Sequence, residues 1–478
     1  MFVAPDLMPA VAEIVLLSAV CVVLLVDLFL PDHRRQVTYY LAMVALAGTA
    51  ATIVAFGASE RTLTFAGSYV ADPAGDTLKL FACLAVAFAF VYSRQFLSDW
   101  QLFRGEFFVL GLFGLLGVMV MVSAHSLLTM YLGLELLSLS LYALVAFNRD
   151  SAHAAEAAMK YFVLGAIASG TLLYGISILY GTTGTLELGE LGVAIAAAGQ
   201  GLNLPLLLGL AFVLVGIAFK FGAVPFHMWL PDVYQGAPIP VTLYVGSAPK
   251  IAAFALTWRV LVEGLGGMQE SWQDMLVVLA VLSMGIGNIV AIAQVNIKRM
   301  LAYSTISHVG FILLGFLAGS DEGLSGAMFY TLTYVIMATG AFGMVIFMSR
   351  AGFEAERLED FKGLNGRSPW FALMMLMIMF SMAGVPPLIG FYAKLAVLGP
   401  LLDAGLTWLA ALAVLFSVIG AFYYLRVVWY MYFEAPVESE PLVAGFDLRF
   451  AVSLNGLALL ALGLLPGGLL DLCARVLS

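Results

Sequence analysis

Apolar runs of about 20 residues, separated by short polar links, follow one another along nearly the whole chain. A run of that length crosses ~30 Å of hydrocarbon as a helix. Read against Gly, Pro and charged turns, the runs give about fourteen spans, centred near residues 20, 47, 86, 115, 136, 168, 214, 251, 283, 309, 337, 385, 418 and 459. The pattern predicts an all-α polytopic membrane protein. Three spans carry interruptions: the seventh at Pro225 and Pro231, the twelfth at Pro386 and Pro387, and the short fourth at Gly111, Gly114 and Gly117. The others read as continuous helix.

Composition agrees with the periodicity. Of 478 residues, 63% are hydrophobic and 11% charged, against roughly 25% charged in a soluble domain, so a water-soluble globule is excluded. A net charge of -9 argues against a nucleic-acid partner. Cys21, Cys83 and Cys473 stand alone inside apolar runs and read as packing residues. The first run has no basic residues before it and Arg34 and Arg35 after it, the reverse of a secretory signal, so it is expected to remain as a span.

Basic residues set orientation. The links after odd-numbered spans hold Arg34, Arg35, Arg94, Arg104, Arg149, Lys298, Arg299, Arg350, Arg357, Lys362, Arg367, Arg426 and Arg449, and the other side holds Arg61, Arg259 and Arg475. That split of 13 to 3 makes the links after odd-numbered spans cytoplasmic and places both termini on the opposite side, the periplasmic one in a bacterial inner membrane. Five lysines remain, all within apolar runs: Lys79, Lys160, Lys220, Lys250 and Lys394.

The chain also resembles itself. Ala158-Met159-Lys160-Tyr161 matches Ala327-Met328-Phe329-Tyr330 at an offset of 169, and Gly222-Ala223-Val224-Pro225 matches Ala383-Gly384-Val385-Pro386 at 161. Both offsets amount to five spans, and an odd number turns the second copy upside down. Spans 4–8 and 9–13 are therefore expected to form two inverted units, each with one broken helix, the architecture of a transport path near the midplane. The expected segments are 1–105 with three helices, 106–265, 266–435, and 436–478 with one C-terminal helix. The 161 offset carries Lys220 onto Ser381 and Lys394 back onto Val233, so the two halves have diverged.

An ionised side chain at mid-span costs ~2.5–3.5 kcal/mol on insertion scales, so each such residue needs a reason. Lys79 begins span three beside Asp72 and Asp76, where it is expected to snorkel to water. Lys160 has Glu156 one turn back, which leaves a structural and an accessory role equally open. Lys250 lies about ten residues inside span eight. Glu135 sits mid-span with no basic residue within four positions, and Lys220, five residues before Pro225, is its expected partner. Lys394 follows the Pro386-Pro387 break, and His308 sits in a hydroxyl-rich run, Ser304 to Ser307. His227 follows the first break, with a gating and a structural role equally open. Desolvation favours the neutral amine and a nearby carboxylate the charged one. Glu135, Lys220, Lys250, His308 and Lys394, all near mid-depth, thus read as a relay of titratable groups joined by water. No phosphate-binding loop, dinucleotide motif, Ser-His-Asp set or cysteine cluster is visible to hydrolyse ATP or carry electrons.

The stretch Lys220 to Pro238, with its Asp232-Val233-Tyr234-Gln235-Gly236-Ala237-Pro238 ending, resembles the broken seventh helix of the antiporter-like subunits of respiratory complex I, the proton-pumping NADH:quinone oxidoreductase. The run around Glu135, and Gly384-Val385-Pro386-Pro387 with Lys394, are similar to the subunit N branch of that family. The resemblance covers essentially the whole chain. It implies Glu135 with Lys220 as the proton-uptake pair, Lys250 with His308 as the central relay and Lys394 as the terminal site. It also implies a bacterial inner-membrane complex in which membrane-arm and peripheral-arm partner subunits carry NADH, FMN, iron-sulfur clusters and quinone, with no cofactor or metal in this chain. The competing reading is a cation/proton antiporter subunit of the same fold, driven by the proton gradient.

Overall fold

The structure, a computed structural model, describes residues 5–197, 203–349, 351–436, 442 and 444–477. Arg350, counted among the basic link residues, lies outside them. Helices α1 (Val11–Phe29) and α2 (Gln36–Phe56) pair as a hairpin. A short antiparallel ribbon follows, β1 (Thr62–Thr64) with β2 (Tyr69–Ala71), Thr62 facing Ala71. It leads into α3 (Pro73–Asp99), capped by Asp72, whose carboxylate accepts the Gly75 N–H at 2.7 Å.

The next helices are α4 (Gly105–Ser123), α5 (Leu127–Val145), α6 (Ala152–Thr183), the short α7 (Leu188–Ala197), α8 (Leu204–Phe221), α9 (Trp229–Gly236), α10 (Ile239–Gly246) and α11 (Ala248–Thr257), which runs into a π turn over Trp258–Gly264. After them come α12 (Gln269–Ile292), α13 (Ile297–Leu317), α14 (Asp321–Met348), α15 (Leu364–Arg367), α16 (Pro369–Ala383), α17 (Ile389–Asp403), α18 (Thr407–Phe433), α19 (Phe446–Leu464) and α20 (Gly467–Leu477). Thirteen spans among the described residues are long and apolar enough to cross a bilayer. The segment centred near 385 is divided into α16 and α17.

Three expectations need correction. The glycines of the fourth span do not interrupt it: α4 is continuous. They are places of close approach instead, because a Cβ on Gly111 would strike the Phe90 ring, one on Gly114 the Tyr244 hydroxyl, and one on Gly117 the backbone of Gly133 and Leu137. Span eight, expected to be continuous, turns at Ser247 (φ -114, ψ -96) between α10 and α11, beside Gly246 and Pro249. The C-terminal segment holds two helices, α19 and α20, parted at Leu465 and Pro466, where proline opens the second helix.

Helices α13 and α14 are almost wholly buried at the centre, whereas α1, α2, α6 and α18 turn apolar side chains such as Leu25, Val44, Ile167 and Val418 outward. Local geometry recurs along the chain. Leu127 N–H bonds Leu186 O at 2.9 Å and Leu188 N–H bonds His125 O at 3.0 Å; 170 residues on, Ile297 N–H bonds Glu356 O at 2.7 Å and Leu358 N–H bonds Val295 O at 3.0 Å. Gly117 packs on Gly133 and Leu137 as Gly287 packs on Tyr303 and Ser307, at the same interval. At the breaks, left-handed Gly222 (φ 79) corresponds to left-handed Gly384 (φ 88), one residue away from the 161 offset read in the sequence. On this register Lys220 maps onto Met382 and Lys394 onto Asp232.

Candidate functional site

Left-handed Gly222 closes α8, its N–H reaching the carbonyls of Ala218 and Phe219, and Pro225 in the following turn keeps the helix from resuming before Trp229. The Phe221 carbonyl is thereby left without a helical donor, at the negative end of a half-helix dipole. Lys250 fills that vacancy: its Nζ donates to Phe221 O at 2.7 Å and lies 5.9 Å from the Trp229 ring centre. Proline at position 249 and the turn at Ser247 open α11 next to this lysine, which is 2% exposed.

Lys220 is buried on the last turn of α8 and donates to Ser138 Oγ at 3.0 Å, while Ser138 donates to Leu134 O at 2.7 Å. Glu135 receives the Ser169 hydroxyl of α6, which also lies 3.0 Å from the Tyr131 hydroxyl. No ion pair joins Glu135 and Lys220 among the described residues, contrary to the sequence expectation. The lysine meets α5 one turn further on, at Ser138, and a small cavity lined by Ser138, Tyr142, Gly165, Ser169 and Lys220 occupies the junction.

The second break repeats the first. Gly384 N–H reaches the carbonyls of Phe380 and Ser381, Pro386 and Pro387 follow, and Lys394 of α17 places Nζ 2.7 Å from Ala383 O and 2.7 Å from Ser417 Oγ. His308 of α13 heads a separate cluster of hydroxyls. Its Nδ1 is 2.8 Å from the Tyr330 hydroxyl and its Nε2 3.1 Å from the Tyr424 hydroxyl, which lies 2.5 Å from Ser304 Oγ; Thr305 and Tyr334 join at 2.7 Å. Phe311 stacks on Tyr330 and lies beneath the Lys394 ammonium, 5.2 Å from it. Direct hydrogen bonds thus gather the five groups into local clusters around Glu135, the two breaks and His308, with no direct bond from His308 to Lys250 or Lys394 among the described residues.

Sequence reasoning missed Ser138, Ser169, Ser417, Tyr330, Tyr334 and Tyr424. Only the hydroxyl run beside His308 gave a signal; tyrosines and serines elsewhere look like ordinary packing until tertiary contacts select them.

Lys160 keeps the Glu156 partner read from the sequence, whereas Lys79 departs from its expected place. Lys160 is 44% exposed, 2.9 Å from Glu156 and 2.9 Å from Asp232, which also holds Arg299 at 2.8 Å. Lys160, Glu156 and Asp232 border a cavity of about 320 Å³ with His153, Lys298, Glu354 and Glu356. In the link at its rim, burial pushes the Glu354 carboxyl up, opposed by the Lys298 ammonium 2.7 Å away. Lys79 does not snorkel. It is 1% exposed and pairs with Glu13 at 2.8 Å and Asp76 at 3.4 Å, because α1 packs its Glu13 against the start of α3. Removing it would strand a buried carboxylate, so Lys79→Ala is expected to cost about 3 kcal/mol, the low end for breaking a buried pair. A fall in the thermal stability of the detergent-solubilised assembly checks this, and an unchanged melting profile would contradict it. Arg259, counted as a link residue, is fully buried between Asp72 and Glu263, each 2.6 Å away. His227 is half-buried beside the first break, with its Nδ1 unbonded and its ring 6.4 Å from that of Tyr303.

Comparison with known proteins matches residues 124–420 to the NADH:quinone oxidoreductase/Mrp antiporter transmembrane family, a stretch that includes all five groups. NADH-quinone oxidoreductase subunit N of Thioalkalivibrio sulfidiphilus is 57% identical over 477 residues, covering 100% of this chain and 99% of that protein. Its namesake from Thiobacillus denitrificans is 58% identical over 470 residues, 98% of this chain and 97% of that one. The chain belongs to the NADH-quinone oxidoreductase subunit N family. A chain of respiratory complex I from Thermus thermophilus with bound Aureothin superposes with a TM-score of 0.84 at 34% identity, covering 97% of this chain and 99% of that one. A chain of the Mrp complex from a Dietzia species shares the fold at a TM-score of 0.84 and 23% identity, covering 98% of this chain and 96% of that one.

Proposed function

We propose that the chain is a membrane-arm, proton-translocating subunit of a bacterial NADH:quinone oxidoreductase, a translocase component that carries no redox centre of its own. Partner subunits of the membrane and peripheral arms bind NADH, FMN, iron-sulfur clusters and quinone, and the chain spans the inner membrane with both termini periplasmic. The segments 106–265 and 266–435 act as two inverted units, a reading supported by the recurring bonds 170 residues apart. Protons pass along Glu135, Lys220, Lys250, His308 and Lys394, with water bridging the clusters and hydroxyls of Ser138, Ser169, Tyr330 and Tyr424 extending each one. Lys160 stands at the rim of the cavity leading inward, and His227 borders the first break as an accessory group.

The observation that carries this reading is the seating of Lys250 and Lys394 on the freed carbonyls of the two broken helices. An ammonium held by a carbonyl is stabilised without a permanent counter-charge, so it can release its proton to a neighbour and be recharged. Glu135→Gln keeps the shape and the Ser169 contact but removes the titratable carboxyl. It is expected to lower the protons pumped per NADH oxidised several-fold in assembled complex, read from vesicle acidification against NADH consumption. Parental pumping would retire Glu135 from the path. Co-purification with flavin and iron-sulfur subunits separates this reading from that of an independent cation/proton antiporter.

A further inference from the structure

The likeness of the two breaks extends to the helix that closes each unit. Arg259, in the π turn continuing α11, donates from Nε to Val122 O at 3.3 Å. Arg426 of α18 donates to Ile292 O at 2.9 Å. Val122 and Ile292 are 170 residues apart, the interval that relates the bonds at the starts of α5 and α13, so each arginine caps the end of the same helix in its own half. This fixes the register of α18 on α11: nine residues before each arginine stand Lys250 and Ser417. The carbonyls concerned agree independently, since Phe221 immediately precedes left-handed Gly222 and Ala383 immediately precedes left-handed Gly384. In the first half the ammonium on that carbonyl comes from Lys250. In the second it comes from Lys394 on the downstream half of the broken helix, and Ser417, at the Lys250 position, accepts from it at 2.7 Å.

We infer that the two halves keep one ammonium-binding slot, on the carbonyl before the left-handed glycine, and that the lysine filling it has exchanged helices between them, leaving Ser417 as the positioning residue for Lys394. The electrostatic demand belongs to the slot. The C-terminal end of a half-helix attracts a cation from whichever wall delivers it. An ammonium returned to the Ser417 position should therefore replace that of Lys394. The consequence for pumping rests on the relay proposed above, while the location of the slot does not.

The test uses the whole complex in three forms: parent, Lys394→Ser, and Lys394→Ser combined with Ser417→Lys. The single variant is expected to lower protons pumped per NADH roughly tenfold, and the double variant to return to within about threefold of the parent. A high-resolution structure of the double variant should place the introduced ammonium on Ala383 O. A double variant that assembles but pumps no better than Lys394→Ser, or whose ammonium points away from Ala383 O, overturns the inference. If Lys394→Ser pumps like the parent, the relay falls, and the ammonium position in the double variant still decides the slot. Should the double variant not assemble, Ser417→Ala and Ser417→Thr decide. Loss of the acceptor is expected to lower pumping per NADH and threonine to restore it; equal pumping by both and the parent would overturn the positioning role.

Discussion

Lys250→Ala is expected to lower protons pumped per NADH several-fold, through loss of one positioned titratable group, with the complex still assembled. The physical reason lies in its place at the first break. Lys250 bonds the Phe221 carbonyl at the first break, and α11 is packed against both α8 and the central α14. Without it the Phe221 carbonyl loses its donor, and the proposed path loses one of its titratable groups. Lys250→Arg tells titration from charge. Guanidinium keeps the cation on the half-helix end but does not give up its proton at accessible pH, so the arginine form is expected to assemble well and pump poorly. Pumping by the arginine form at the parental level would mean that the charge holds helices together and carries no proton.

The spans were legible because a bilayer imposes length and apolarity on every crossing segment, independently of what each helix packs against. Pro225, Pro386 and Pro387 announced the breaks for an equally local reason, the missing N–H. Lys220, Lys250 and Lys394 were recognisable as deep because depth follows from distance to the ends of the apolar span. Partners were not legible. The sequence suggested Glu135 for Lys220, but the ammonium bonds Ser138, one turn further along α5, instead. Lys79 sits near a helix end and still does not reach water, because α1 folds over it and supplies Glu13. The turn at Ser247 had a signal in Gly246-Ser247 and Pro249, overridden by the apolar run around it. The His308 partners, Tyr330 and Tyr424, come from α14 and α18, 22 and 116 residues away, a separation no periodicity records.

The same limit makes Arg259 the residue whose loss should most damage stability, although the sequence placed it in a link. It lies fully buried where Asp72 caps α3, Glu263 closes the π turn and Val122 ends α4; it ion-pairs with both carboxylates and bonds the Glu263 carboxylate and the Val122 carbonyl. Glu263 keeps a second cation in Arg61 at 2.8 Å, so among the described residues Asp72 is the group that Arg259 alone neutralises. Arg259→Met retains much of the volume and removes the charge. Breaking a buried pair from one side costs about 3–5 kcal/mol, since the remaining ion stays desolvated. The expected result is early loss of this subunit from the complex on heating, well before parental dissociation. Adding Asp72→Asn should recover most of that loss, because the amide oxygen still caps Gly75 N–H while the stranded charge is gone. Recovery by the second substitution identifies unpaired charge as the cause. If Arg259→Met alone dissociates at the parental temperature, the network is not what fastens α3 and α4 to the end of the first unit.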